Sequence, residues 1–158
     1  MDYLKPAEVV TAMIEAGTRK AALPASDLLV RGALSGAILG IATHLAITAA
    51  VQTGVPLAGA LIFPVGFVMI VLLNLELVTG SFAVLPMAQM DDGIRFADTL
   101  RNWAYSYVGN LIGSLAYAAL AWGALTMFGE APGGPVAASQ VGSKSVATLG
   151  LVPERGPR

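Results

Sequence analysis

The chain of 158 residues is 56% hydrophobic and 12% charged, and its formal net charge is −1 at pH 7. Soluble domains carry about 25% charged residues, so this composition indicates an integral membrane protein. The sequence holds no cysteine and one histidine, which excludes disulfides and thiol catalysis and leaves few ligands for a metal centre. The sequence has no basic stripe that would favour a nucleic-acid partner and no nucleophile–base pair that would indicate an enzyme. No cofactor is predicted.

The N-terminal segment, residues 1–23, is polar enough to lie outside the bilayer and predicts an amphipathic helix from Pro6 onward. Its apolar residues recur at helical spacing. They are Val9, Val10, Met13, Ile14 and Gly17. Two interpretations are open: the helix lies at the membrane interface, or it packs as a solvated helix on the rest of the protein.

A membrane domain of three transmembrane helices is predicted for residues 24–128. The spans cover about residues 28–50, 55–90 and 103–128, and the second is expected to be broken near residues 75–81. The predicted fold class is therefore all-α integral membrane, with an interfacial helix before the spans.

The C-terminal tail, residues 129–158, is rich in Gly, Pro and Ala and holds no apolar run long enough to span a bilayer. We expect it to be truncated or flexible.

Positive charge sets the predicted orientation. Arginine and lysine residues precede the first span and also lie between the second and third, whereas the link between the first two spans has none. The residues are Lys5, Arg19, Lys20, Arg31, Arg95 and Arg101. The N-terminus is therefore expected in the cytoplasm, and the expected location is the bacterial inner membrane.

The stretch from Phe63 to Met90 is not uniformly apolar, as a simple transmembrane helix would be. Polar and small residues fall together between two apolar halves: Asn74, Glu76, Thr79, Gly80 and Ser81. A charged side chain at the bilayer centre costs roughly 2.5 kcal/mol or more, so an intramembrane Glu usually faces a cavity or a partner. We expect the helix to unwind at Thr79–Ser81 and to line a permeation path, since broken helices are tolerated where they line a cavity.

Two small-residue ridges predict close packing between helices. Their members are Gly32, Gly36 and Gly40 in the first span and Gly109, Asn110 and Gly113 in the third. Asn74 and Asn110 are expected to form inter-helix hydrogen bonds rather than to bind a ligand. His44 lies inside the first span, where a structural role is favoured over a functional one.

Two segments carry a resemblance to a known family. NLELVTGSF at residues 74–82 and NWAYSYVGNLIGSL at residues 102–115 resemble the formate/nitrite transporter family of pentameric anion channels, and the similarity extends from Pro6 to Phe128. The resemblance implies an aquaporin-like protomer of six spans, built as two inverted three-span repeats within a homopentamer. This chain would supply the first repeat, as the N-terminal part or a fragment of the transporter.

The same resemblance implies a path for small monovalent anions such as formate and nitrite. Thr79 takes the position of the family's pore threonine, with Gly80 and Ser81 beside it, and Phe63 and Phe67 take the positions of an apolar cytoplasmic constriction. Glu76 and Asn74 would support the helix break, and Lys144 is the candidate for a lysine at the outer vestibule. The family's pore histidine lies in a fifth span, outside this sequence.

Several alternatives stay open from the residues themselves. Glu76 is expected to cap the reopened helix near Thr79–Ser81 rather than to touch an anion, because its charge would repel one. Phe63 and Phe67 are either a gate or core packing. The chain is either part of an anion transporter or a truncated, non-transporting membrane protein that serves as an assembly scaffold. A channel of two oppositely oriented half-chains is disfavoured by the charge bias.

Overall fold

A computed structural model describes residues 5–126 of the chain, and all regular elements there are α-helices. In chain order they are α1 (Pro6–Ala21), α2 (Ala25–Thr53), α3 (Pro56–Ile62), α4 (Pro64–Leu72), α5 (Val78–Met90) and α6 (Phe96–Thr126). The described residues divide into two compact units: the first holds residues 5–37 and 70–114, and the second holds residues 38–69 and 115–126.

Helix α1 begins as its sequence predicts and packs with its C-terminal half on α5. Pro6 is the first helical residue, and the Lys5 N–H donates to the Glu8 carboxylate at 2.9 Å. Gly17 is buried against α5, so closely that a Cβ there would collide with the Val84 carbonyl oxygen. The C-terminal half of α1 is therefore packed on the rest of the protein. Val9, near the start of the helix, is 42% exposed.

The C-terminal end of α1 is held by side chains of α6. The Arg101 guanidinium donates to the Ala21 and Leu23 carbonyl oxygens at 2.7 and 2.9 Å, and the Asn102 amide donates to the Lys20 carbonyl at 2.9 Å. Carbonyls at a helix C-terminus lack intrahelical partners and carry partial negative charge, so a cation there is favourable. These bonds fix α1 against α6 within the first unit.

Helix α2 is the one element among the described residues that combines the length and the mean hydropathy of a membrane crossing. The predicted second span is divided over α3, α4 and α5 instead of forming one rod. Phe63 separates α3 from α4, and Pro64 is the first residue of α4, a position where its missing N–H costs no hydrogen bond. Helix α6 has 31 residues.

The glycine ridges of α2 and α6 meet each other inside the first unit. A Cβ on Gly32 would lie 3.1 Å from the Gly109 Cα atom, one on Gly36 would collide with the Asn110 carbonyl oxygen, and one on Gly113 with that of Ala33. Backbone-to-backbone contact of this kind needs residues without side chains.

The second unit is built without charged side chains among its described residues. Gly40 makes room for the ring of Tyr117, and Gly59 for the Ala46 carbonyl oxygen. The Tyr117 hydroxyl lies 2.8 Å from Nδ1 of His44. The single histidine of the chain thus has a structural partner in this unit.

Candidate functional site

The helix interruption in the first unit spans residues 73–77. Helix α4 ends at Leu72 with Asn74 in the left-handed region at φ 51°. The Asn74 N–H donates to the Val71 carbonyl at 3.1 Å and the Leu75 N–H to the Ile70 carbonyl at 3.0 Å. This pair of bonds is the Schellman motif, and asparagine tolerates its left-handed residue. Asn74 therefore ends α4.

The expectation that Thr79–Ser81 unwinds was wrong. Leu77 is extended, at φ −112° and ψ 122°, and α5 begins directly after it. The Leu77 carbonyl accepts hydrogen bonds from the N–H groups of Gly80 and Ser81 at 3.0 and 3.1 Å. Thr79, Gly80 and Ser81 thus form the first turn of α5, because the left-handed Asn74 and the extended Leu77 place the whole interruption before them.

Glu76 is buried at the interruption and paired with a lysine of α1. Its side chain is 1% exposed, and Oε1 lies 2.7 Å from Nζ of Lys20, which is 22% exposed. The other carboxylate oxygen accepts from the Ser81 hydroxyl at 3.5 Å. A buried carboxylate is tolerated when a counter-ion and hydrogen bonds compensate its lost hydration.

Capping of α5 does not come from Glu76, contrary to the sequence-based expectation. The first backbone N–H of the helix, that of Val78, donates to Oδ1 of Asn110 at 3.0 Å. Among the described residues, no backbone N–H of α5 is bonded to the Glu76 carboxylate, because that carboxylate turns to Lys20. The cap is supplied by α6.

The side-chain amide of Asn110 also binds the neighbouring elements. Its Nδ2 lies 2.9 Å from the Gly32 carbonyl, 2.8 Å from the Ser35 hydroxyl and 2.9 Å from the Glu76 carbonyl. The Ser35 hydroxyl in turn donates to the Glu76 carbonyl at 2.6 Å. The interruption is thereby tied to α2 and α6 through backbone atoms that would otherwise lack partners.

The three residues of the predicted pore segment face different surroundings. Thr79 and Gly80 are exposed, and a Cβ on Gly80 would meet nothing within 4 Å. Ser81 is fully buried; its hydroxyl bonds to Glu76, and its carbonyl accepts from the Trp103 indole N–H at 3.3 Å. The open surface of this turn therefore belongs to Thr79 and Gly80.

The remaining predicted site residues lie elsewhere. Phe63 and Phe67 belong to the second unit and are 40% and 48% exposed, so the described residues do not bury them as a core. Lys144 lies outside the described residues. Over residues 5–126, no cluster of His, Asp or Glu is suited to a metal ion.

Sequence reasoning missed the partners of Glu76. It used Lys20 only as a positive charge before the first span, although Lys20 lies three residues after the buried Gly17 and therefore on a neighbouring part of the same face. Ser35 lies on the same stripe as Gly32, where absent side chains leave room for the Asn110 amide. A hydroxyl or an amide inside a glycine ridge was the sequence signal that could have indicated hydrogen bonds between the helices.

Comparison with known proteins gives a consistent result. The model of the formate/nitrite transporter family matches residues 7–151. The uncharacterized transporter YrhG of Bacillus subtilis is 37% identical over 123 residues, which cover 73% of this chain and 46% of that protein. The formate channel BtFdhC of Bacillus thuringiensis is 30% identical over 123 residues, or 73% of this chain and 47% of that channel.

The formate channel FocA of Escherichia coli K12 is 28% identical over 127 residues, which are 77% of this chain and 44% of that channel. The chain thus spans about half the length of the curated relatives it matches. These relatives are channels and transporters, not enzymes. From the family match over most of its length, the chain belongs to the formate/nitrite transporter family.

Proposed function

We propose that the chain takes part in the transmembrane passage of small monovalent anions of the formate and nitrite class, as the N-terminal part of a transporter. It would cross the bacterial inner membrane three times, with the second crossing broken at residues 73–77 and the N-terminus in the cytoplasm. Membership of a family of channels and transporters supports the class of function, and the names of BtFdhC and FocA support formate as one substrate.

The observation that carries the proposal is the exposed N-terminal turn of α5. Thr79 lies at its surface, and among the described residues neither its hydroxyl nor its N–H has a hydrogen-bond acceptor. A helix N-terminus carries partial positive charge and free N–H groups, which favour an anion. Thr79 would hold the anion on its path through its hydroxyl and N–H, and the missing side chain of Gly80 leaves room beside it.

The buried carboxylate near this turn does not oppose an anion path. Lys20 lies 2.7 Å from Glu76, so the pair is neutral as a unit. An uncompensated carboxylate would repel an anion and would itself be costly to bury. The ion pair therefore permits an acidic residue three positions before Thr79.

Transport through an apolar constriction would favour the neutral acid form of the substrate. Phe63 and Phe67 are proposed as that constriction, where a bare anion would lose its hydration without replacement. Thr79 would hold the anion until it is protonated. The resemblance assigns proton donation to a histidine in a later span of the family.

The assembly proposed by resemblance is a homopentamer in a lipid bilayer, with Lys144 as the vestibule lysine. The scaffold alternative requires small-residue faces that are open to other spans. In the first unit those faces are occupied by each other, since Gly36 packs on Asn110 and Gly113 on Ala33. This packing favours the transport hypothesis.

The test is uptake of labelled formate and nitrite into liposomes that contain the protein purified from its own membranes, with its intact mass measured in the same preparation. We expect uptake above that of empty liposomes and competition between the two anions. Uptake no faster than in empty liposomes would contradict the proposal and favour the scaffold. A mass near 16.2 kDa would identify the chain itself as the transporting species.

A further inference from the structure

We infer that Asn110 is a positioning residue for anion passage: its side-chain amide holds the first turn of α5 in the orientation that exposes Thr79. This inference rests on the proposed function, because its consequence for transport exists only if the turn faces an anion. Asn110 itself is bonded to protein groups and acts through Val78.

The geometry makes Asn110 the link between three elements. Its Oδ1 accepts the Val78 N–H at 3.0 Å, and its Nδ2 is within 2.9 Å of carbonyl oxygens of Gly32 on α2 and Glu76 in the interruption. Both polar atoms of the Asn110 side-chain amide are therefore held by hydrogen bonds. Val78 directly precedes Thr79, so a shift of the cap moves the Thr79 N–H and hydroxyl with it.

The partners also determine which way the amide points. An inverted amide would place Oδ1 against the Gly32 and Glu76 carbonyl oxygens and Nδ2 against the Val78 N–H, so these three contacts would be repulsive, whereas the Ser35 hydroxyl can bond to either atom. A chemical donor and a chemical acceptor are both required at this position. Replacement by a carboxylate keeps the shape and removes the donor.

The same helix offers a matched control. The Ser114 hydroxyl donates to the Gly36 carbonyl at 3.2 Å, which is a side-chain bond from α6 to the backbone of α2 without contact to the interruption. Loss of the Ser114 bond removes a comparable inter-helix link and leaves α5 capped. A purely structural role for Asn110 would make the two positions behave alike.

The experiment compares Asn110→Asp, Asn110→Ala and Ser114→Ala in the protein from its own membranes. The first readout is hydrogen exchange of the backbone amides of residues 77–82. We expect both Asn110 variants to exchange faster there than wild type, and Ser114→Ala to match wild type. The second readout is the initial rate of formate uptake against formate concentration, where both Asn110 variants should raise KM about tenfold, as loss of one cap hydrogen bond implies.

The Asn110→Asp variant allows the lost hydrogen-bond donor to be restored by lowering the pH, which a general loss of packing would not reproduce. When protonated at low pH, the introduced carboxyl regains one O–H donor while its other oxygen still accepts from Val78. Relative to wild type at the same pH, exchange in Asn110→Asp should slow between pH 7 and pH 4, whereas Asn110→Ala should show no recovery. If Asn110→Ala does not fold, the pH comparison in Asn110→Asp carries the test.

The outcomes separate this inference from the proposed function. Faster exchange in the Asn110 variants with an unchanged KM would overturn the positioning role while anion transport stands. Wild-type protein without formate or nitrite uptake would overturn the proposed function and, with it, the role of Asn110 in transport. Equal exchange in the Asn110 and Ser114 variants would overturn the inference whatever the uptake.

Discussion

The two units of the chain share close glycine packing and differ in the polar interactions that accompany it. Every charged side chain among the described residues belongs to the first unit, where a buried ion pair and an amide network hold a helix interruption. The described part of the second unit has no charged side chain and relies on glycine contacts and the bond between His44 and Tyr117. Both units use close glycine contacts; the first adds a buried ion pair and an amide network, and the second adds a hydrogen bond between two aromatic side chains.

The largest expected effect comes from breaking the buried pair of the first unit. Lys20→Met leaves the Glu76 carboxylate buried without its counter-ion and should lower the free energy of unfolding by about 3–5 kcal/mol. The measurement is unfolding in mixed micelles with increasing dodecyl sulfate. Arg19→Met is the control, because the Arg19–Glu15 pair is exposed and should contribute less than about 1 kcal/mol.

A double variant sharpens this test. Lys20→Met combined with Glu76→Leu removes both charges and should recover most of the lost stability, since apolar replacements of a buried pair are often neutral. A double variant as unstable as Lys20→Met alone would show that the loss came from packing rather than from charge.

The next effect tests shape in the second unit. A Cβ on Gly59 would lie 2.5 Å from the Ala46 carbonyl oxygen, so Gly59→Ala should cost about 1–3 kcal/mol through overpacking. Gly123→Ala is the control, because nothing lies within 4 Å of its Cβ and alanine favours a helix by up to about 1 kcal/mol. Similar unfolding curves for both variants would contradict close packing at Gly59.

A smaller effect tests the hydrogen bond of the second unit. Tyr117→Phe keeps the ring beside Gly40 and removes the hydroxyl that lies 2.8 Å from His44. We expect a loss of about 1 kcal/mol in the same unfolding assay. Tyr105→Phe, at a more exposed position on α6, should leave the unfolding curve unchanged. A larger loss for Tyr105→Phe would refute the assignment.

The smallest effect is a pH dependence at the start of α6. The Arg95 guanidinium donates to Asp98 at 3.1 Å, and this hydrogen bond lowers the pKa of the Asp98 carboxyl below its usual value. The stabilisation is present above the unfolded pKa of about 4 and is lost as the pH falls through the lower, folded pKa. The thermal midpoint of the wild type should therefore fall between pH 6 and pH 3. Asp98→Asn should reduce this fall, whereas Asp91→Asn should leave it unchanged.

The sequence indicated helices, their small-residue contacts and a special segment around Glu76, because composition and periodicity report these directly. The predicted break near residues 75–81 overlaps the interruption only at residues 75–77. Thr79–Ser81 contains poor helix formers, but the chain leaves the helix at Asn74, where the Asn74 and Leu75 N–H groups donate to the carbonyls of Val71 and Ile70. Propensity alone does not show which of two weak points will open.

The sequence marked Asn110 as a residue for inter-helix hydrogen bonds, but it did not show which groups Asn110 and Glu76 would bind, for a physical reason. Lys20 and Glu76 are 56 residues apart, and Asn110 and Val78 are 32 apart. Such pairs depend on how α1, α5 and α6 pack, which periodicity does not encode. The glycine ridge predicted close approach, but not that the amide within it would cap another helix.

The most direct measurement of the central claim uses the absence of native cysteine in the chain. Thr79→Cys and Ser81→Cys are each treated in membranes with a small anionic thiosulfonate, with and without formate. We expect fast modification of the Thr79 variant, slowed by formate, and slow modification of the Ser81 variant, whose position is buried beside Glu76. Equal rates at both positions, or no protection by formate at position 79, would contradict an anion path along the first turn of α5.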